Sequence, residues 1–210
     1  MKSALRTLAT ALLGVVCFVS VSQATPAVNF TGTTVDWNDG TNYSLGWSFT
    51  ANQNLYVNSL GVYAAPDFNT GLRTFSQDHA VGIFDATNAL IASTTVNNSD
   101  VLDGFFRYHD LLAPVLLTSG STYYIAAFMG ADQYTWDTTG FTTNSAITYN
   151  GGYYTTSNNL AFPATADATV ANGYFGANLD VTPVPEPGTI ALFGIGLSMV
   201  AVVMRRKQSN

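Results

Sequence analysis

The stretch from Asp78 to Val96 reads DHAVGIFDATNALIASTTV. Its first eight residues alternate, placing Val81 and Ile83 on one face of an extended chain. A short turn at Ala86 to Asn88 leads into Ala89-Leu90-Ile91-Ala92-Ser93-Thr94-Thr95-Val96, a second run rich in β-formers. Two such runs around so short a loop predict a β-hairpin.

The same punctuated pattern extends outward in both directions. Upstream, Trp47-Ser48-Phe49-Thr50 and Leu55 to Tyr63 read as strands, with Leu60 and Val62 on one face and Gly61 and Tyr63 on the other. Ala64 to Gln77, containing Pro66, Asp67, Asn69 and Gly71, is the longest break in the first half. Downstream, Gly104 to Leu112 and Val115 to Leu117 are separate strand candidates. Ser119-Gly120-Ser121 then turns the chain into Thr122 to Met129, where Tyr123, Ile125 and Ala127 share a face. Ile147-Thr148-Tyr149 and Tyr174-Phe175 to Val181 complete the set. Thr25 to Gly46 has weaker periodicity and many turn formers, including Asn38-Asp39-Gly40. No helical periodicity and no internal repeat is present in the body. Roughly eight to ten short strands at this spacing predict an antiparallel β-sandwich of jelly-roll type, with an up-and-down barrel as the alternative. The lack of amphipathic helices argues against α/β folds.

Both ends differ from this body. Lys2 and Arg6 precede a largely apolar run from Leu8 to Val21, and Ser22-Gln23-Ala24 offers small residues at −3 and −1. That is a signal peptide, residues 1–24, cleaved after Ala24 by signal peptidase. At the other end Val184-Pro185-Glu186-Pro187-Gly188 is held out of helix by its prolines. Thr189 to Met204 follows with sixteen uncharged residues, and then Arg205-Arg206-Lys207. A helix of that length spans about 24 Å against a hydrocarbon core of roughly 30 Å, so crossing requires local thinning and snorkelling arginines. The basic cluster is expected to stay cytoplasmic, which puts the body outside. The expected organisation is therefore 1–24 signal peptide, 25–184 secreted domain, and 185–210 sorting segment with a transmembrane helix at 189–204.

The secreted domain holds 160 residues, enough for one core. Its charge is lopsided. Of the seven Lys and Arg, only Arg73 and Arg107 fall inside it, against twelve aspartates, so the body carries about −10. Nucleic acid is excluded as a partner, since phosphate binding needs a basic footprint. The single cysteine, Cys17, lies in the signal peptide, so the mature chain has no disulfide, thiol nucleophile or thiolate metal site.

The C-terminal stretch resembles the sorting signal of PEP-CTERM proteins. Pro185-Glu186-Pro187, a glycine-containing apolar helix and an arginine cluster appear in that order. The resemblance implies recognition by an exosortase, a membrane cysteine protease of bacteria that make extracellular polysaccharide. The body is in turn similar to an uncharacterised β-sandwich domain found in many PEP-CTERM proteins. Leu60 to Tyr63, His79 to Asp85, Leu90 to Ser93, Gly104 to Tyr108 and Ser119 to Tyr123 occupy its pattern, over about Gly46 to Gly130. Ala64 stands where an acid is usual, and Phe105-Phe106 precedes the arginine. The resemblance supplies no activity.

Few residues suggest chemistry. His79 and His109 are the two histidines, each beside an aspartate; a hydrogen-bonded strand residue is favoured over a metal ligand or acid–base group. No G-x-S-x-G elbow or H-E-x-x-H is present, and twelve aspartates allow too many pairs for a glycosidase signal. Catalytic residues, cofactor and metal site are therefore all expected to be absent. Asp67, Asn69 and Asp78, which flank one loop, are the residues that would serve calcium, although they do not have EF-hand spacing. Tyr134 and Trp136 with Tyr153-Tyr154 would make an aromatic sugar platform if exposed, and otherwise pack in the core or at a sheet edge. Arg107 is expected to be structural, pairing with Asp85 in preference to Asp78 or Asp103 to fix strand register. The expected function is a non-enzymatic cell-surface or extracellular-matrix protein processed by an exosortase. The alternative is a carbohydrate-binding module acting on exopolysaccharide.

Overall fold

The computed structural model describes residues 24–136, 139–167 and 174–185. Residues 1–23 of the expected signal peptide, Glu186, Pro187, the helix expected at 189–204 and the Arg205, Arg206 and Lys207 cluster lie outside the described residues. Within them the chain is all-β. In order the strands are β1 (Thr25–Pro26), β2 (Val28–Phe30), β3 (Val35–Trp37), β4 (Tyr43–Ala51), β5 (Leu55–Tyr63), β6 (His79–Asp85), β7 (Leu90–Val96) and β8 (Val101–Asp103). There follow β9 (Phe106–Leu117), β10 (Thr122–Phe128), β11 (Tyr134–Trp136), β12 (Phe141–Thr143), β13 (Ile147–Thr156), β14 (Thr165–Ala166), β15 (Tyr174–Phe175) and β16 (Ala177–Pro183). Eight of these have seven residues or more, which matches the number read from the sequence.

A five-stranded sheet has the order β1-β16-β5-β9-β8, and a six-stranded sheet the order β14-β13-β4-β10-β6-β7. Two smaller sheets, β15-β11-β3 and β12-β2, cover their flanks. Every pairing is antiparallel. Alternation decides which side chains meet between the two large sheets. Leu45, Trp47 and Phe49 of β4, Val81 and Ile83 of β6, and Ile125 of β10 share one core with Leu55, Val57, Leu60 and Val62 of β5 and Leu179 of β16. Burying each such side chain contributes about 1.5–3 kcal/mol. Trp47 Nε1 donates to Ala177 O at 2.8 Å, a polar tie from one sheet to the other.

Local chemistry explains the turns and irregularities. The β6–β7 hairpin closes as predicted: Asp85 Oδ1 accepts from Thr87 N (2.7 Å) and Ala89 N (3.0 Å), and Asn88 takes the left-handed φ of 71°. Asn tolerates that conformation better than most residues. The two strands expected at Gly104 to Leu112 and Val115 to Leu117 are one strand, β9. It is interrupted where its register with β5 jumps between Asp110 and Val115. Pro114 cannot donate to the ladder, so the chain bulges outward there and leaves Leu112 fully exposed.

Candidate functional site

The three-stranded sheet lies across one end of the six-stranded sheet and gathers aromatic residues there. Trp37 of β3 pairs with Tyr134 of β11, and Trp136 of β11 pairs with Tyr174 of β15. On the larger sheet Tyr154 of β13 pairs with Leu45 of β4, two residues from Tyr43 on the same face. These side chains and Asp39 enclose a cavity of about 270 Å³. Small-molecule pockets run from about 300 to 1,000 Å³, so this one suits a small group.

Four of the walls form a closed ring. Tyr43 and Tyr134 have ring centroids 6.2 Å apart, Tyr134 and Tyr174 5.7 Å, Tyr174 and Tyr154 5.7 Å, and Tyr154 and Tyr43 5.9 Å. Each neighbouring pair is nearly perpendicular, at 83–87°. Trp37 and Trp136 meet beside them at 6.0 Å. Trp37 is 46% exposed and stands at the opening, whereas Tyr134 is buried.

Asp39 is placed at the rim by its own turn. Asn38 Oδ1 accepts from Gly40 N at 2.7 Å, and Gly40 takes φ 82°. Asn38 Nδ2 anchors the turn to Ala131 O at 2.6 Å. Asp39 Oδ1 then accepts from Thr41 N (2.9 Å), and Oδ2 from the Tyr43 hydroxyl (3.0 Å). The Thr41 N–H above all, with the Tyr43 hydroxyl, holds the Asp39 carboxyl below the usual range. Burial pushes the phenols of Tyr43, Tyr134 and Tyr174 up, helped by Asp39 at Tyr134 and by Asp167 at Tyr174. Across the neutral range Tyr43, Tyr134 and Tyr174 are therefore uncharged and Asp39 is ionised. Among the described residues no basic side chain lines the cavity.

The aromatic platform read from the sequence is split. Tyr134, Trp136 and Tyr154 do come together, but Tyr153 points to the opposite face of its sheet, where it packs on Tyr124 at 5.0 Å. Sequence reading missed Trp37, Asp39, Tyr43 and Tyr174. Their signal was the similar triplets Val35-Asp36-Trp37 and Tyr134-Thr135-Trp136, whose pairing cannot be seen before the strands are matched.

Arg107 does not pair with Asp85. The two lie in different sheets, and Asp85 is engaged in its hairpin turn. The Arg107 guanidinium instead donates to two main-chain carbonyls: Nη1 to Asp100 O at 2.7 Å, and Nε and Nη2 to Arg73 O at 3.2 and 2.8 Å. An exposed carboxylate already holding its own turn offers less than two carbonyls that need donors where the loops close. The hydrogen-bond partners of Arg107 are main-chain carbonyls rather than a carboxylate. Arg73 lies over the Phe105 ring, 4.4 Å from its centroid, and donates to Ala64 O at 2.7 Å.

The remaining candidates are also turn and strand residues. His79 is fully buried, with Nδ1 2.8 Å from Phe128 O and Nε2 2.8 Å from Asp132 Oδ2. His109 Nδ1 meets Asp100 Oδ1 at 2.8 Å. Asp67 Oδ1 accepts from Asn69 N (3.1 Å), Thr70 N (2.8 Å) and Thr70 Oγ1 (2.8 Å), so the loop's own donors occupy it. Among the described residues no group of three or more His, Cys, Asp or Glu is placed to hold a metal ion, at Asp67, Asn69 and Asp78 or elsewhere.

Fold and terminus together define an antiparallel all-β protein that carries a sorting signal: residues 183–207 match the PEP-CTERM protein-sorting motif. Residues 29–176 match the family model described as Domain of unknown function (DUF4082), and the chain belongs to that family. The match extends beyond both ends of the resemblance seen at about Gly46 to Gly130. No curated protein matches the chain.

Proposed function

We propose that the protein is an exported, non-enzymatic component of the cell surface or extracellular matrix, delivered through exosortase processing of its C-terminal segment. The observation that carries this reading is the sorting motif over residues 183–207. The precursor is cleaved by signal peptidase after Ala24. It is held by a helix at 189–204 with Arg205, Arg206 and Lys207 on the cytoplasmic side, and is then released by the exosortase at the Pro185-Glu186-Pro187 segment.

Thr25 pairs with Val181 at the edge of the five-stranded sheet, and Val184 N donates to Asn54 O at 2.9 Å, so the secreted domain is tied into the fold at both of its expected ends. The strand orders β1-β16-β5-β9 and β4-β10-β6-β7 support a jelly-roll sandwich, with β13 and β14 added beside β4. The burial of His79 supports a body without catalysis, since a sealed imidazole cannot reach a substrate.

Replacement of Pro185-Glu186-Pro187 by alanines tests the reading in cells that make the exosortase. The expected result is an unprocessed protein retained in the inner membrane. Processing and delivery like the parent would contradict it. Exopolysaccharide binding, the alternative role, predicts retention of the protein on the purified polymer.

A further inference from the structure

We propose that the four-tyrosine cavity is an aromatic cage for a small alkylated ammonium group, of the kind a quaternary ammonium head carries. Tyr43, Tyr134, Tyr174 and Tyr154 succeed one another at right angles, as adjacent walls of a box do, with centroid separations of 5.7–6.2 Å. Ring faces carry negative charge density, and several faces around one volume attract a desolvated cation. Hydrogen bonds from phenols to carboxylates, Tyr43 to Asp39 and Tyr174 to Asp167, add electron density to those rings.

Charge points the same way. Asp39 is ionised at the rim, no basic side chain among the described residues lines the cavity, and the body holds twelve aspartates against two arginines. Both arginines are committed to backbone carbonyls elsewhere. Among the described residues the lining is poor for reading a sugar, because no Asn, Gln, Arg or His converges on it and Asp39 already accepts from Thr41 and Tyr43. A quaternary ammonium has no N–H to satisfy and asks only for apolar faces and a counter-charge.

The cage also lies away from Val184, the residue before Pro185. Tyr43 begins β4, and Ala51 ends it near the Asn54 that holds Val184, so the strand's nine residues, about 30 Å, separate the two.

The test uses the full-length chain in a detergent without a choline head, followed by tryptophan fluorescence. Choline and tetramethylammonium are expected to give a saturable change, and 3,3-dimethylbutanol, the uncharged isostere of choline, to bind about tenfold more weakly or not at all. Asp39→Asn weakens choline binding and flattens its salt dependence. Trp37→Ala, at the half-exposed wall of the opening, weakens it as well. Flotation with phosphatidylcholine vesicles, against phosphatidylglycerol vesicles, separates a lipid source of the group from a free one. Equal binding of choline and its isostere overturns the proposal. So does binding of neutral hexoses without choline, or no response to any of these probes.

Discussion

The guanidinium of Arg107 grips the main-chain carbonyl of Arg73, the body's other cation, with Nη2 2.8 Å from the oxygen. The same group reaches Asp100 O at 2.7 Å, so one side chain on β9 closes two loops, 64–78 and 97–100. Asp100 is tied a second time, since its carboxylate takes His109 Nδ1 and Asn97 N. Arg107→Ala leaves two part-buried carbonyls without donors and should cost about 1–3 kcal/mol. Arg107→Lys keeps the charge but cannot serve both carbonyls with a single ammonium, and should fall between parent and Ala. Thermal unfolding of both variants checks the order.

Asp132 and Asp180 give stability opposite pH dependences. At Asp132 burial acts against ionisation, but hydrogen bonds from His79 and Ser76 outweigh it and leave the carboxyl below its usual range. Its contribution is present above the unfolded value of about 3.9 and is lost as pH falls through the folded value. At Asp180 burial dominates and, with Asp103 and Asp110 nearby, raises the carboxyl despite the bond from Ser59 Oγ. Stability from that group is present below the unfolded value and lost as pH rises through the folded one. Asp132→Asn should lower Tm at neutral pH and weaken the acid-side slope. Asp180→Asn should raise Tm at neutral pH and have little effect in acid. Melting curves from pH 3 to 8 read both.

Gly46 permits close approach of β4 to β10. A Cβ there would run into Ile125 O, which is backbone of the partner strand and cannot move aside. Gly46→Ala should destabilise by about 3 kcal/mol, at the upper end of overpacking costs, or prevent folding. Chemical denaturation of that variant, or its absence from the soluble fraction, is the check.

The strands that sequence reading located best are those with strict alternation and clear punctuation. Leu55 to Tyr63 is β5 without change, and the Asp85 turn closes β6 on β7. Thr25 to Gly46 was harder because β1, β2 and β3 have two or three residues each and no period to display. Their partners lie more than ninety residues away, as in Val35 with Trp136, so pairing rather than propensity makes them strands. The cavity was hidden for the same reason: Trp37 and Trp136 meet through that register. Arg107 misled for a different reason. A cation amid aspartates suggests a carboxylate partner, but backbone oxygens at loop closures compete for the same donors.

The account rests most on processing at the C-terminus, which one measurement addresses directly. The protein is recovered from the outer surface or medium of cells with an active exosortase, and its intact mass is determined. The predicted species begins at Thr25 and has lost residues 189–210. A surface-delivered species whose mass retains that segment would contradict exosortase sorting.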